Sequence, residues 1–311
     1  MNHPLISIVT PCLNRAGLIR QAVESVLAQD YPEVEHIVMD AGSTDGTLEL
    51  LRAYPHLRVV SEPDRGMYDG INKGLRLARG RIIGLLNTDD LYAPGAFEAV
   101  AAAFDEHPEA LAVVGGTSTF VDGPDGPQTV LTVPAIEPEE FWYRLIQGPP
   151  VTNAWFFRPE VFERVGTFDE RFLYSSDRYF LIRLALDGGV RPVPIRRTLY
   201  LYRQHSGSAT MSTFDSRSPQ YGKLRMKFLQ EDVDALEEFL LRTDLPTEVR
   251  RRMQQEHGER CYRLSATALY HRKWRLALAS AGRGWRRDPF WPLVFAGMAF
   301  RRLRQEVGGH A

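Results

Sequence analysis

Cysteine is nearly absent from this sequence. Cys12 and Cys261 are the only two in 311 residues, they lie far apart, and neither belongs to a CxxC pair. A disulfide framework and a zinc site built on cysteine pairs are therefore not expected. Long hydrophobic runs are missing too: no stretch approaches the roughly 20 apolar residues that a spanning helix needs. The first apolar run, Leu5 to Val9, lacks a basic leader and a small-residue cleavage site, so no signal peptide is expected. A cytoplasmic chain is the expectation. The glycine signatures of two large nucleotide-binding classes are also lacking. After the first apolar run stands Pro11-Cys12-Leu13-Asn14-Arg15-Ala16-Gly17 in place of a GxGxxG, and no GxxxxGK[ST] loop occurs anywhere. Dinucleotide and P-loop chemistry are disfavoured.

What is present is an ordinary globular composition, 44% hydrophobic, enough for one large or two smaller domains with a sizeable core. The net charge of -1 hides an asymmetry, because residues 250–311 carry 14 Lys or Arg against 4 Asp or Glu. In the first 90 residues, strand-like runs alternate with helical periodicity. Leu5 to Thr10, Val34 to Met39, Arg58 to Ser61 and Ile82 to Leu86 read as strands. Ile19, Val23, Val26 and Leu27, then Thr47 to Ala53, then Ile71, Leu75 and Ala78 read as helices. Strands alternating with helices predict an α/β fold with a doubly wound, parallel sheet and right-handed crossovers.

Ile82 to Leu86 is continuously apolar, as a strand covered on both faces should be, and it ends in Asn87-Thr88-Asp89-Asp90. Ligands bind outside the carboxyl ends of such strands, so two adjacent carboxylates stand where they can act. Carboxylates that close resist ionising together unless a cation lies between them. Mg²⁺ or Mn²⁺ with a substrate diphosphate would suit the pair, and capping of the helix that begins near Pro94 is the plain alternative. Polar residues also end the other strands: Thr10, Asp40, and Glu62 with Asp64.

Four segments together, Ser7-Ile8-Val9-Thr10-Pro11 with Asn14, Asp40 to Thr47, Glu62 to Gly74, and Leu86 to Asp90, resemble the family 2 inverting glycosyltransferases in order and spacing. The resemblance covers about the first 90 residues and implies the GT-A fold, a Rossmann-like, mostly parallel sheet with helices on both faces. It implies a nucleotide-sugar donor, UDP-linked by expectation. Thr10, Pro11, Asn14, Asp40, Ser43, Arg65, Asp69 and Asp89 are then expected to bind the nucleotide, and Asp90 to ligate the metal. Ala41 stands where the family often has Gly. For Asp40 and Asp45 the competing reading is a turn closed by side-chain hydrogen bonds. For Arg65 it is a solvated loop charge, and Asn72 reads as a helix-packing residue.

Farther on, Pro94 to His107 reads as a helix, Leu111 to Phe120 as a strand, and Gly123-Pro124-Asp125-Gly126-Pro127 as a hairpin tip. The clusters Phe141-Trp142-Tyr143 and Trp155-Phe156-Phe157 read as core first, although Trp142 or Trp155 could stack on a sugar. By the resemblance, Asp177, before a helix, is the general base, with an N-cap role as the alternative and Asp169 as a structural neighbour. His205, in Tyr202-Arg203-Gln204-His205, would be a second metal ligand or an ordinary loop histidine, and Arg203 a phosphate contact. Ser206 to Ser218 reads as a lid or linker. The organisation expected is a catalytic domain over 1–215 and a basic helical extension over 216–311.

In that extension the apolar stretch Pro289 to Phe300, flanked by Arg286-Arg287 and Arg301-Arg302-Leu303-Arg304, suits the interface of an anionic membrane. A helical cap with a solvated basic face is the alternative. The expected partners are the nucleotide-sugar donor, a saccharide or lipid-linked saccharide acceptor in cell-surface polysaccharide synthesis, and peripherally the inner face of the plasma membrane. Two other functions fit less well. A sugar-nucleotide nucleotidyltransferase would need a Gly-rich basic first loop that Pro11 to Gly17 does not supply. A non-catalytic membrane or nucleic-acid binding module acting through the tail would leave the acidic tip unexplained, and no nucleic acid is expected.

Overall fold

A computed structural model of the chain describes residues 3–124, 126–137, 140–147, 151–187, 189–205, 207–208 and 221–287. The chain packs as two units, 1–205 and 206–311. The domain boundary expected at residue 215, most of the expected lid, the tip residue Asp125 and the apolar stretch 289–300 with Arg301, Arg302 and Arg304 lie outside the described residues.

The first unit opens with β1 (Ile6–Cys12), α1 (Ile19–Leu27), β2 (Val34–Asp40), α2 (Thr47–Leu51), β3 (Leu57–Ser61), α3 (Met67–Leu77) and β4 (Ile82–Leu85). These four strands are mutually parallel in the order β3-β2-β1-β4. β1 is buried along nearly its whole length, Ser7 and Thr10 included, because both of its faces are covered. Ile6 and Ile8 pack into a cluster with Ala22 and Val26 of α1. On the opposite face α3 lies so close to the sheet that a side chain at Gly74 would run into Val9. Pro11 is tolerated inside β1 because its missing N–H falls on the β4 side, where pairing ends at Val9 and Leu85.

The rest of the unit extends the same sheet. It comprises β5 (Leu91–Tyr92), α4 (Ala96–Glu106), β6 (Ala112–Gly123), β7 (Gly126–Val133), α5 (Phe141–Gln147), β8 (Trp155–Phe157), α6 (Glu160–Val165), α7 (Ser176–Leu186) and β9 (Val193–Arg203). β8 runs antiparallel between β4 and β6, β9 is parallel to β6, and β5 closes the far edge antiparallel to β9. β7 hairpins back on β6, with Gly123 opposite Gly126 where the sequence signalled a tip. Gly84 marks a tight crossing, since a Cβ there would stand 2.6 Å from Phe156, 2.8 Å from the Tyr92 hydroxyl and 2.9 Å from Ile8. Trp155 is buried at 1% exposure, with its ring stacked 6.0 Å from that of Phe157, so it belongs to the core and not to a sugar platform.

The second unit is described as three helices, α8 (Tyr221–Leu240), α9 (Thr247–Tyr270) and α10 (Trp274–Arg287). The short connections make consecutive helices antiparallel neighbours. They meet over Leu229, Val233, Cys261 and Leu264. Among the described residues no helix is long and apolar enough to cross a membrane.

Candidate active site

The parallel strands deliver their polar ends to one edge of the sheet. At the end of β2, Asp40 is almost fully buried. Its Oδ2 accepts the backbone N–H groups of Gly42 and Ser43, each at 3.0 Å, and the Ser61 hydroxyl at 2.6 Å, while Oδ1 accepts the Ser43 hydroxyl. Burial would raise its pKa, but the hydrogen bonds from Ser43 and Ser61 outweigh it and hold the carboxyl below its ordinary value. The adjoining loop is tied to the end of β1. The Asn14 N–H donates to Ser43 Oγ at 2.7 Å and Asn14 Oδ1 accepts the Thr44 N–H at 2.9 Å, with Asn14 itself at φ +52°. Asp45 holds the start of α2 through the Thr47 N–H at 3.1 Å and reaches the Ala16 N–H at 3.1 Å. The turn role considered for Asp40 and Asp45 is thus what their side chains perform here.

Thr10 differs from its expectation. Its side chain is fully buried and its Oγ1 lies 2.9 Å from Nε2 of His36, so the hydroxyl is committed inside the fold and not toward a nucleotide. Asp69, in the first turn of α3, is also buried. It accepts the Arg65 N–H at 3.0 Å, pairs with the Arg65 guanidinium at 3.3 Å and stands 3.6 Å from Lys73 Nζ, and the hydrogen bonds from Arg65 lower its pKa. Arg65 also reaches Glu170 at 2.5 Å. Both side chains therefore act as bracing between α3 and the loop before α7.

The acidic tip separates into two environments. Asp90 is 1% exposed, and its Oδ1 accepts the Arg203 N–H at 2.7 Å. Its Oδ2 accepts the Tyr200 hydroxyl at 2.7 Å and the Asn87 amide at 3.2 Å. Burial, reinforced by the neighbouring Asp89 charge, pushes its pKa up to about 7. Both of its oxygens are engaged in fastening the tip to β9, which disfavours the expected metal role. Asp89 is half-buried, and its Oδ2 lies 3.1 Å from Nε2 of His205, just past the end of β9. One carboxylate oxygen and one imidazole nitrogen side by side fit a divalent cation whose remaining positions go to substrate phosphate and water. Among the described residues there is no group of three such ligands. Arg203 is buried at 4% exposure. It donates to the Asp89 carbonyl at 2.9 Å, pairs with Asp122 at 2.5 Å, reaches Gln21 and lies over the Phe120 ring. It is an anchor of the tip and not a phosphate contact.

Asp177 sits in the first turn of α7, one residue past the N-terminal Ser176, so it is not the N-cap, which is Ser175. Its Oδ1 accepts the Arg178 N–H at 2.7 Å. Arg178 in turn is buried and donates to the Leu145 carbonyl at 3.2 Å and to that of Ile146, both on α5. Asp169 pairs with Arg171 at 2.7 Å, in keeping with a structural role. Sequence reasoning assigned no individual role to Asn87, Ser61 or Glu170 and did not single out Tyr200 or Asn153. Tyr200 receives the Asn153 amide at 2.7 Å while donating to Asp90, a relay that joins residues over 100 positions apart and leaves no local signal.

Residues 7–166 match the family described as glycosyl transferase family 2, more than half of the chain. The chain belongs to glycosyl transferase family 2. Among curated relatives, an uncharacterized protein of Sinorhizobium fredii, y4gI, is 32% identical over 252 residues, covering 78% of this chain and 26% of that protein. An uncharacterized glycosyltransferase of Bacillus subtilis, EpsJ, is 26% identical over 225 residues, covering 67% and 63%. The chain thus spans between a quarter and two thirds of these two relatives. Among solved structures, the mannosyltransferase PcManGT from Pyrobaculum calidifontis, in complex with GDP-Man and Mn²⁺, aligns with a TM-score of 0.58 at 20% identity, over 96% of this chain and 81% of that one. TarS of S. aureus, residues 1–349 in complex with UDP-GlcNAc, aligns with a TM-score of 0.53 at 18% identity, over 91% of both. These likenesses establish the glycosyltransferase fold of the family 2 chain.

Proposed function

We propose that this family 2 chain is an inverting, metal-dependent glycosyltransferase that moves a sugar from a UDP-linked donor to a hydroxyl of a saccharide or lipid-linked saccharide in cell-surface polysaccharide synthesis. The observation that carries the reading is the Asp89–His205 pair at 3.1 Å, held at the carboxyl edge of the sheet by the buried Asp90–Tyr200–Arg203 anchor. In this reading Asp89 and His205 hold Mn²⁺ or Mg²⁺, and Asp90 positions them. The bound cation would offset the negative charge that grows on the departing diphosphate. The accessible members of the expected nucleotide set, Pro11, Asn14, Ser43, Arg65 and Asp89, face the donor, while the buried Thr10, Asp40 and Asp69 hold the loops that present them. Residues 1–215 form the catalytic domain and 216–311 its helical extension.

Asp177 is the general base. As the acceptor oxygen bonds to the anomeric carbon, the bond from that carbon to the phosphate oxygen breaks on the opposite face, the electron pair leaves with the diphosphate, and the acceptor's proton passes to the Asp177 carboxylate. Support comes from its place in the first turn of a helix braced by Arg178 against α5. Asp177→Asn should abolish sugar transfer while leaving donor affinity within about twofold, because it removes a group needed only in the transition state. Transfer by that variant at a rate near wild type, measured as nucleoside diphosphate release in the presence of acceptor, would reject the assignment.

A further inference from the structure

The second unit carries a surface that the transferase reading does not use. In α10 the usual order of an amphipathic helix is altered. The small residues Ala277, Ser280 and Gly284 face inward, with the Ala277 carbonyl accepting the Ser265 hydroxyl of α9 at 3.0 Å. Leu276 packs against the core of the unit, but the other three large apolar residues face out: Trp274 is 61% exposed, Leu278 74% and Trp285 63%. At 100° per residue, these three side chains fall within about 40° of one another and form a single stripe. Tyr270, at the end of α9, is also 82% exposed. The burial of two tryptophans would ordinarily stabilise a small helical unit more than any other available choice, so their outward placement calls for an apolar partner.

The charge around the stripe says what that partner is. From His271 to Arg287 the chain has no Asp or Glu and has six Lys or Arg. Arg283 is engaged internally, 2.6 Å from Asp234 and 2.7 Å from Glu237. Arg272, Lys273, Arg275 and Arg286 are exposed beside the stripe. Tryptophan at both ends of an apolar stripe with a purely cationic border matches the boundary between acyl chains and anionic headgroups. There the indole rings sit at the level of the carbonyls, and each basic side chain adds electrostatic attraction.

We propose that the outer face of α10, with Trp274, Leu278 and Trp285 inserted and Arg275 and Arg286 against headgroups, docks this chain on an anionic lipid surface. This deepens the lipid-linked acceptor reading but stands on the helix face alone. It also assigns docking to residues other than the apolar stretch 289–300 on which the sequence expectation rested.

The test is capture of the full-length chain by vesicles of phosphatidylglycerol and phosphatidylcholine at low salt, compared with vesicles of phosphatidylcholine alone. The wild type should bind the anionic vesicles, with a blue shift of tryptophan emission. The triple variant Trp274→Ser, Leu278→Ser, Trp285→Ser should fail to bind. Arg275→Gln with Arg286→Gln should weaken binding about thirty-fold, the effect of two interfacial charges. All five side chains are exposed, so unchanged far-UV circular dichroism is expected. Three results would overturn the proposal: no capture of the wild type, full capture of the triple variant, or a wild-type dimer in lipid-free buffer that the triple variant dissociates. Preferential binding to duplex DNA through the same residues would overturn it as well. A UDP-induced thermal shift measured on the same samples reports on the transferase reading separately, so either can fail while the other stands.

Discussion

At the residue scale, the site is a set of polar side chains whose types are readable in the sequence and whose directions are not. Asp89 and Asp90 are neighbours of the same chemistry, yet one is half-open beside His205 and the other is sealed against Tyr200 and Arg203. The tip is a turn beyond the end of β4, so no strand period sets the two directions, and the pairing of Asp90 with Tyr200 and Arg203 of β9 decides which carboxylate is sealed. Thr10 makes the same point, since its hydroxyl meets His36 in the interior. That contact has a measurable consequence. His36 is fully buried, its Nδ1 has no hydrogen-bond partner, and burial pushes its pKa down to about 3. The unfolded chain, with His36 near its ordinary value of about 6.5, takes up a proton that the folded chain refuses. The stability that His36 contributes by staying neutral is complete above about pH 6.5 and falls by about 1.4 kcal/mol per pH unit below it, down toward pH 3. Urea unfolding at a series of pH values should show this slope, and His36→Gln should flatten it. An equal slope in the variant would mean that other groups carry the acid sensitivity.

At the element scale, β1 to β4 and the three helices between them were legible to within a few residues, because apolar periodicity is a local property. β5 and β8 were not legible as sheet members: two or three residues carry no period, and both exist only through pairing with β9, β4 and β6. Also invisible was how the two halves of the unit are fastened together. Asn72 of α3, read from the sequence as a packing residue, is 3% exposed and clamps the backbone of Phe168 from both sides. Its Nδ2 donates to the Phe168 carbonyl at 2.8 Å and its Oδ1 accepts the Phe168 N–H at 3.0 Å. The Phe168 ring stacks on Tyr68 of α3 and packs 4.6 Å from Phe180 of α7, one turn beyond Asp177. Asn72 thus ties α3 to the loop that leads into the helix of the proposed base. Asn72→Ala leaves a buried N–H and C=O unpaired, which should cost about 1–3 kcal/mol for each group that finds no water. If the clamp also sets the base, kcat should fall while the donor KM stays near wild type. A fall in stability with unchanged kcat would leave Asn72 a purely structural clamp.

At the scale of the whole molecule, the two units divide the chemistry as they divide the charge: an acidic sheet with its carboxylates at one edge, and a basic set of helices. The fold class was readable from the alternation of elements, whereas the outward tryptophans of α10 were not, since a tryptophan in a helical pattern reads first as core. Whether the sheet edge is a donor site can be asked of the entire chain by thermal unfolding with UDP, GDP, CDP or dTDP, each with and without Mn²⁺. A ligand at about 100 times its dissociation constant adds roughly 2.7 kcal/mol to the folded state. Each kcal/mol moves the midpoint of a unit of about 200 residues by roughly 2–4 °C, so the shift is well above measurement error. On the proposed reading UDP should give the largest shift and Mn²⁺ should increase it, because Asp89 and His205 would hold the cation and the diphosphate would supply further ligands to it. Asp89→Asn should keep the midpoint of the ligand-free protein, since its carboxylate is half-open and the anchor lies in Asp90, but it should lose the increment due to Mn²⁺. If that increment survives in Asp89→Asn and disappears in Asp90→Asn, the buried carboxylate is the ligand after all, and the tip must reorganise by releasing Tyr200 and Arg203 when metal binds.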